Sequence, residues 1–293
     1  MRRFSLASLQ LELSSTDNLD QLEKEIRLCK KRFPWIDMLM LPELSSYGIN
    51  RAHVQKLGGE AEQHFQRIAC ETGLWLIPGS LYLREGEHIF NVAPVIDPSG
   101  TVVTRARKLF PWLPYETGIT AGTDFCVFDL PGIGRIGLCI CYDNWFPEVL
   151  RSLVCLGAEM ILCPTMTSTV DRELELMIAR TNAAVQQVYF VSLNIAGPLG
   201  NGRSIVVGPD GKVLHQAGSG YEIIPLEFDL DQVQRVRKRG LDGLGQPLKS
   251  FRDAALRFPA YQTPPKDNPW LAALGELRMP AAELEPPPTE PPP

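Results

Sequence analysis

Three residues of the 293-residue chain pair a reactive side chain with a position suited to chemistry. Cys141, in Gly137-Leu-Cys-Ile-Cys141-Tyr-Asp-Asn-Trp-Phe-Pro-Glu148, falls where an apolar run ends and a polar, helix-starting segment begins. Ligands of α/β sheets bind at the carboxyl ends of strands, and unpaired amides at a helix start favour a thiolate. Strict alternation places Cys139 on the same face, so position at the strand end, not periodicity, singles out Cys141. Glu43, in Leu41-Pro-Glu43-Leu-Ser-Ser-Tyr-Gly48, directly follows another apolar run, where partial desolvation would make a carboxylate a usable base near neutrality. Lys108, in Arg105-Ala-Arg-Lys108-Leu-Phe-Pro-Trp112, follows a third. Taken singly, each position favours a bland role: an inert core cysteine, a solvated loop glutamate, a basic surface turn. Taken together they supply what a nucleophilic cysteine needs. An ordinary thiol, with a pKa of about 8.5, is only a few per cent ionised at pH 7 and requires a base or a cation beside it. The histidines expected of a papain-like arrangement, His53, His64, His88 and His215, lie in helical or turn contexts without a companion motif.

The elements that must position these residues follow from periodicity. Phe4 to Leu11 reads as a strand, and Asp17 caps a helix whose apolar positions are Leu19, Leu22, Ile26 and Cys29. Ile36 to Leu41 is a buried strand ending just before Glu43. A helix from Ala61 to Thr72 leads to a strand at Leu74–Ser80. Phe90–Ile96 and Thr101–Arg105 form a hairpin around Asp97-Pro-Ser-Gly100, and Lys108 lies just beyond it. A Pro-, Gly- and Thr-rich loop from Phe110 to Thr123 precedes strands at Phe125–Leu130 and Gly134–Ile140. Then come a helix Pro147–Leu156, a strand Met160–Cys163, a helix Asp171–Gln187, a strand Tyr189–Asn194, a hairpin at Pro209-Asp-Gly211 and a strand near Ile223–Phe228. Such alternation implies layered α/β architecture, with two sheets sandwiched between helices if each half supplies one.

Composition narrows the partners. With 29 Lys and Arg against 34 Asp and Glu, the net charge is −5, which argues against a nucleic-acid or anionic-membrane binder. No run approaches the roughly 18 apolar residues of a membrane helix. The polar residues Gln10, Glu12 and Ser14 to Asp17 interrupt any export-signal core after Arg2-Arg3. Seven cysteines without regular spacing suggest a reducing, cytoplasmic setting rather than a disulfide framework. Ten of the 25 prolines lie in residues 264–293, together with Asp267, Glu276, Glu283, Glu285 and Glu290 against only Lys266 and Arg278. This divides the chain into a folded domain, 1–262, and an acidic Pro-rich tail, 263–293, whose composition favours extended backbone and cannot bury a core.

The blocks Leu-Pro-Glu43, Arg-Lys108-Leu and Gly-Leu-Cys-Ile-Cys141-Tyr-Asp-Asn-Trp-Phe-Pro-Glu resemble, in the same order, the three signature segments of the nitrilase superfamily of carbon-nitrogen hydrolases. The resemblance runs from about Phe4 to Tyr261. It implies a four-layer αββα sandwich, a catalytic triad of Glu43, Lys108 and Cys141, and a homodimer or larger homo-oligomer. It further implies a second glutamate in the loop after the lysine, matched by Glu116. Attack by Cys141 on an amide would yield a thioester, with the Tyr142 N–H and Lys108 stabilising the oxyanion. Neither a metal nor an organic cofactor is called for. Relatives that act on N-carbamoyl D-amino acids carry arginines where Asn144 and Trp145 stand here, and loss of a bidentate fork disfavours a carboxylate there. Tyr142-Asp143 replaces the Trp-Glu of many nitrilases. A small amide is thus the expected substrate, with Trp145 beside it. A nitrile, an N-carbamoyl amide, and a catalytically silent protein acting through its tail are the alternatives. Asn182 and Val185 replace an Arg and a Glu common in relatives.

Overall fold

The computed structural model of the chain describes residues 1–262 and 264–279. They fall into two units, Met1–Pro111 with Gly118–Ala254, and Trp112–Thr117 with the described residues from Ala255 onward. Of the expected tail, Thr263 and residues 280–293 lie outside the described residues, while residues 264–279 are described.

In the first unit the apolar run near the start becomes β1 (Arg3–Gln10), buried at every position but the first. Helix α1 (Leu19–Arg32) buries Leu22, Ile26 and Cys29. Its N-cap is Asn18 and not the expected Asp17, although Asp17 Oδ1 accepts the Leu19 N–H at 2.9 Å. The run before Glu43 shortens to β2 (Met38–Met40). Next come β3 (Gln55–Lys56), α2 (Glu60–Thr72), β4 (Trp75–Ile77), β5 (Leu81–Glu85), β6 (His88–Ile96) and β7 (Val102–Arg107). The β6–β7 turn closes as expected, with the Asp97 N–H donating to Thr101 O and the Gly100 N–H to Asp97 O. Strands β8 (Cys126–Leu130) and β9 (Gly134–Leu138) precede α3 (Pro147–Cys155), β10 (Met160–Thr165), α4 (Arg172–Gln186) and β11 (Tyr189–Asn194). The chain then forms the hairpin β12 (Ile205–Val207) and β13 (Val213–Gln216), β14 (Glu222–Asp229), α5 (Asp231–Arg239) and α6 (Pro247–Asp253).

Two sheets result. The first has the order β14-β1-β2-β4-β6-β5-β3, with β7 also on β6, and the second β13-β12-β11-β10-β9-β8. Within them β1, β2 and β4 run parallel, as do β9, β10 and β11. The carboxyl ends of each parallel set therefore share one edge of their sheet. Phe4, Leu6, Met38 and Met40 of the first sheet pack with Ile136, Leu138, Met160 and Val191 of the second in one core cluster. A second cluster joins the first sheet to α1 and α2, and a third joins the second sheet to α3 and α4. This is the expected four-layer αββα sandwich. Its central parallel strands are buried on both faces, which is why they read as continuous apolar runs rather than alternating ones.

In the second unit, α7 (Pro269–Ala272) is capped by the Asn268 side chain, which accepts from the Trp270 and Leu271 amides.

Candidate active site

Glu43 leaves the end of β2 in a turn whose residues are all buried. Ser80 Oγ accepts the Leu44 N–H at 3.1 Å, and Ser45 Oγ donates to Pro78 O at 2.8 Å. Beneath the turn, a Cβ on Gly79 would lie 1.9 Å from Pro42 O, and its φ is +75°. Only glycine allows β4 to end so close under Glu43. Lys108 follows β7, its N–H bonded to Asn91 O and its carbonyl to the Gly122 N–H. Its Nζ donates to Glu43 Oε1 at 2.9 Å, and Asn91 Nδ2 donates to the same oxygen at 2.9 Å. Both charged residues are only 2% exposed. Two charges so deeply buried are tolerable because they are paired and further hydrogen-bonded.

Cys141 opens a 3-10 turn, Cys141–Trp145, at a φ of +49°. A side chain with a Cβ is strained in this left-handed region by about 1 to 3 kcal/mol. The turn also overturns the alternation expected for the cysteines. Strand β9 stops at Leu138, so Cys139 packs among the α3 and α4 side chains while Cys141 packs against the inter-sheet core. Asp143 ties this turn to the lysine segment, its Oδ1 accepting the Leu109 and Phe110 amides at 3.0 and 2.8 Å and its Oδ2 the Ile140 amide at 3.0 Å. Burial pushes the Asp143 carboxyl up to about 7 against these donors and the Lys108 charge. Burial, and next the Glu43 carboxylate, hold the Cys141 thiol well above the usual thiol range, opposed by the Lys108 ammonium. The three residues predicted to act together thus share one electrostatic environment, and the lysine and glutamate are in direct contact.

Tyr142 and Trp145, also expected at the site, are half-buried in the turn, with ring centroids 6.1 Å apart. Glu116 belongs to the second unit, where its Oε2 accepts the Trp112 N–H at 2.6 Å and Trp112 stacks on Tyr115 at 4.1 Å. Asn182 donates to Asn144 O and Oδ1 at 3.1 and 2.9 Å, so a short amide bridge links α4 to the turn. Among the described residues no group of three or more His, Cys, Asp or Glu side chains is placed to hold a metal ion. No helix there is long and apolar enough to cross a membrane.

Sequence reasoning missed Thr167 and Glu175. Thr167, just past β10, places its Oγ1 3.9 Å from Cys141 Sγ and 3.0 Å from Glu175 Oε1. Trp145 Nε1 reaches the same carboxylate oxygen at 3.5 Å, and Arg172 Nη1 pairs with Glu175 Oε2 at 2.9 Å. An Arg and a Glu three residues apart at a helix start look like a solvated pair. Here Arg172 is 1% exposed, a fact that tertiary packing alone decides.

Comparison with known proteins agrees with this architecture. Residues 5–238 match the carbon-nitrogen hydrolase family. The chain is 27% identical over 248 residues to 2-oxoglutaramate amidase of Bacillus subtilis (strain 168), covering 80% of this chain and 95% of that enzyme. It is 30% identical over 187 residues to a formamidase of Bacillus cereus (strain Q1), covering 61% of this chain and 56% of the formamidase. Among solved structures, Saccharomyces cerevisiae Nit3, a member of branch 10 of the nitrilase superfamily, superposes with a TM-score of 0.75 at 26% identity, over 81% of this chain and 94% of Nit3. A mutant of the Nesterenkonia AN1 amidase, also of the nitrilase superfamily, gives 0.71 at 25% identity over 80% and 94%. The αββα sandwich, the family match over most of the chain and the amidase relatives converge: the chain belongs to the carbon-nitrogen hydrolase family, the nitrilase superfamily, and is a hydrolase of carbon-nitrogen bonds other than peptide bonds.

Proposed function

We propose that the protein hydrolyses a small amide through a thioester on Cys141. The observation that carries this reading is the buried Lys108–Glu43 pair at 2.9 Å, joined through the lysine segment and Asp143 to the turn that bears the cysteine. Glu43 accepts the thiol proton as Sγ attacks the carbonyl carbon, so charge never accumulates on an unassisted thiolate in a site that opposes it. The Lys108 ammonium and the Tyr142 N–H receive the developing oxyanion, one such donor being worth about 3 to 4 kcal/mol in the transition state. Glu43 then protonates the departing amine, and the acyl group stays on sulfur. Glu43 next activates water, which releases the acid and restores the thiol.

An amide is favoured over a nitrile or an N-carbamoyl amide on two grounds. The relatives named 2-oxoglutaramate amidase and formamidase are amidases by name. Trp145 stands where an arginine would grip a carbamoyl substrate's carboxylate, and its Nε1 is turned to Glu175. Seven free thiols fit a reducing, cytoplasmic setting. Ammonia release from a panel of small amides, matched nitriles and N-carbamoyl amides tests the assignment. Amides are expected to turn over fastest, with activity abolished in Cys141→Ala. Faster release from nitriles overturns the substrate class, and undiminished turnover by Cys141→Ala overturns the nucleophile.

A further inference from the structure

Thr167 is held by three hydrogen bonds on its backbone. Its N–H donates to Asn194 Oδ1 at 2.8 Å, and its carbonyl accepts from Asn194 Nδ2 at 2.9 Å and from the Asn201 N–H at 3.1 Å. Asn194 ends β11, the strand beside β10, so the clamp is built from the sheet itself. The hydroxyl lies between Glu175 Oε1 at 3.0 Å and Cys141 Sγ at 3.9 Å. The Glu175 carboxylate is paired with Arg172, whose guanidinium also donates to Ser192 Oγ at 3.0 Å and Arg203 O at 2.9 Å.

A hydroxyl has one proton, and an ionised carboxylate can only accept. With its proton committed to Glu175, Thr167 Oγ1 can meet Cys141 only as the acceptor of an S–H donor. A hydroxyl so oriented favours the neutral thiol and gives a thiolate nothing. We infer that Thr167, clamped by Asn194 and oriented by the Arg172–Glu175 pair, is a positioning residue that keeps the proton on the resting Cys141, so that sulfur ionises only as Glu43 takes the proton during attack. This rests on the reading of Cys141 as the nucleophile.

The charged and polar groups that act on Cys141 divide into two sets. The Lys108 ammonium and the Met166 backbone N–H favour the thiolate, while burial and the Glu43 and Glu175 carboxylates oppose it. Asp143 lies on the same turn, and Cys163 Sγ donates to Cys141 O at 3.9 Å from β10. Glu175 and Thr167 come from elements that carry none of the proposed triad, so they can be altered without touching Glu43 or Lys108.

The test is the pH dependence of thiol modification by methyl methanethiosulfonate on the full-length protein, read at the Cys141 peptide by mass spectrometry. The exposed Cys70 and Cys155 serve as internal references, and the buried Cys139 and Cys163 report unfolding. Thr167→Val is expected to move the Cys141 midpoint down by up to about one pH unit and to speed labelling at pH 7 by roughly fivefold. Thr167→Ser is expected to keep the wild-type midpoint, and the near-isosteric Glu175→Gln to lower it. A midpoint unmoved or raised in Thr167→Val overturns the inference, because Glu175→Gln lowers the midpoint through loss of its charge alone. Where Thr167→Val labels Cys139 and Cys163 as well, Thr167→Ala decides by the same criterion. An active Cys141→Ala protein would instead remove the nucleophile reading on which the inference stands.

Discussion

At the scale of single residues, the buried Lys108–Glu43 pair has two separable consequences. Desolvating two charges costs about as much as their attraction returns, but removing one partner strands the other at a cost of about 3 to 5 kcal/mol. Lys108→Met should therefore lower both thermal stability and turnover, the latter by at least ~100-fold through loss of an oxyanion donor. Adding Glu43→Gln to Lys108→Met removes the stranded charge. Thermal melts should then recover most of the lost stability, while ammonia release stays at background. A double variant that melts no higher than the single one would show that charge pairing is not what the site must satisfy. Cys141 presents a different lesson at this scale. Its place at the end of an apolar run is legible in sequence, but its left-handed backbone is not. A cysteine, unlike glycine or asparagine, does not announce a positive φ, and the strain is held only by the packing around it.

At the scale of elements, Asp143 is the joint between two strand ends, accepting two amides from the segment after β7 and one from the end of β9. Its carboxyl is raised from 3.8 to about 7 by burial. Between these values the folded chain holds a proton that the unfolded chain releases, so this group's contribution to stability falls as pH rises from about 4 to 7. Asp143→Asn cannot titrate. Urea melts at pH 5 and pH 8 should show wild type losing stability relative to Asp143→Asn at the higher pH, by on the order of 1 to 3 kcal/mol. A difference that does not change with pH would contradict the assignment.

The elements most legible in sequence were those buried on both faces, since a continuous apolar run such as that of β10 fits only the interior of a fold. The two-residue edge strand β3, and β5 between it and β6 with only Leu81, Tyr82 and Leu83 buried, are too short to give such a signal. Helix α5 was hidden by its charge, since only Val233 and Val236 of its nine residues are buried. Thr167 and Glu175 escaped because a lone threonine after a strand has no pattern, and because the burial of an Arg–Glu pair is set by what packs over it.

At the scale of the whole molecule, α4 carries Leu174 and Met177, 44% and 55% exposed, beside a cavity of about 290 Å³ that they line with Trp145, Pro147 and Ile178. Exposed apolar side chains beside such a cavity can serve as an association surface. With the homodimer or larger homo-oligomer that the family resemblance implies, we propose a homodimer through this face. Light scattering should return about twice the 32.6 kDa chain mass, and Met177→Asp should shift it toward the monomer. A wild-type monomer at micromolar concentration would contradict the proposal. The net charge of −5 does not bear on the active site, because more than half of it belongs to residues 264–293.

The proposed chemistry requires that sulfur become acylated. Rapid acid quench of the enzyme during turnover of its best amide, followed by peptide mass spectrometry, reads this directly. The expected result is an acyl adduct on the Cys141 peptide that hydroxylamine removes, while Cys141→Ala shows neither adduct nor turnover. Sustained turnover with Cys141 unmodified throughout, or an active Cys141→Ala protein, would contradict it.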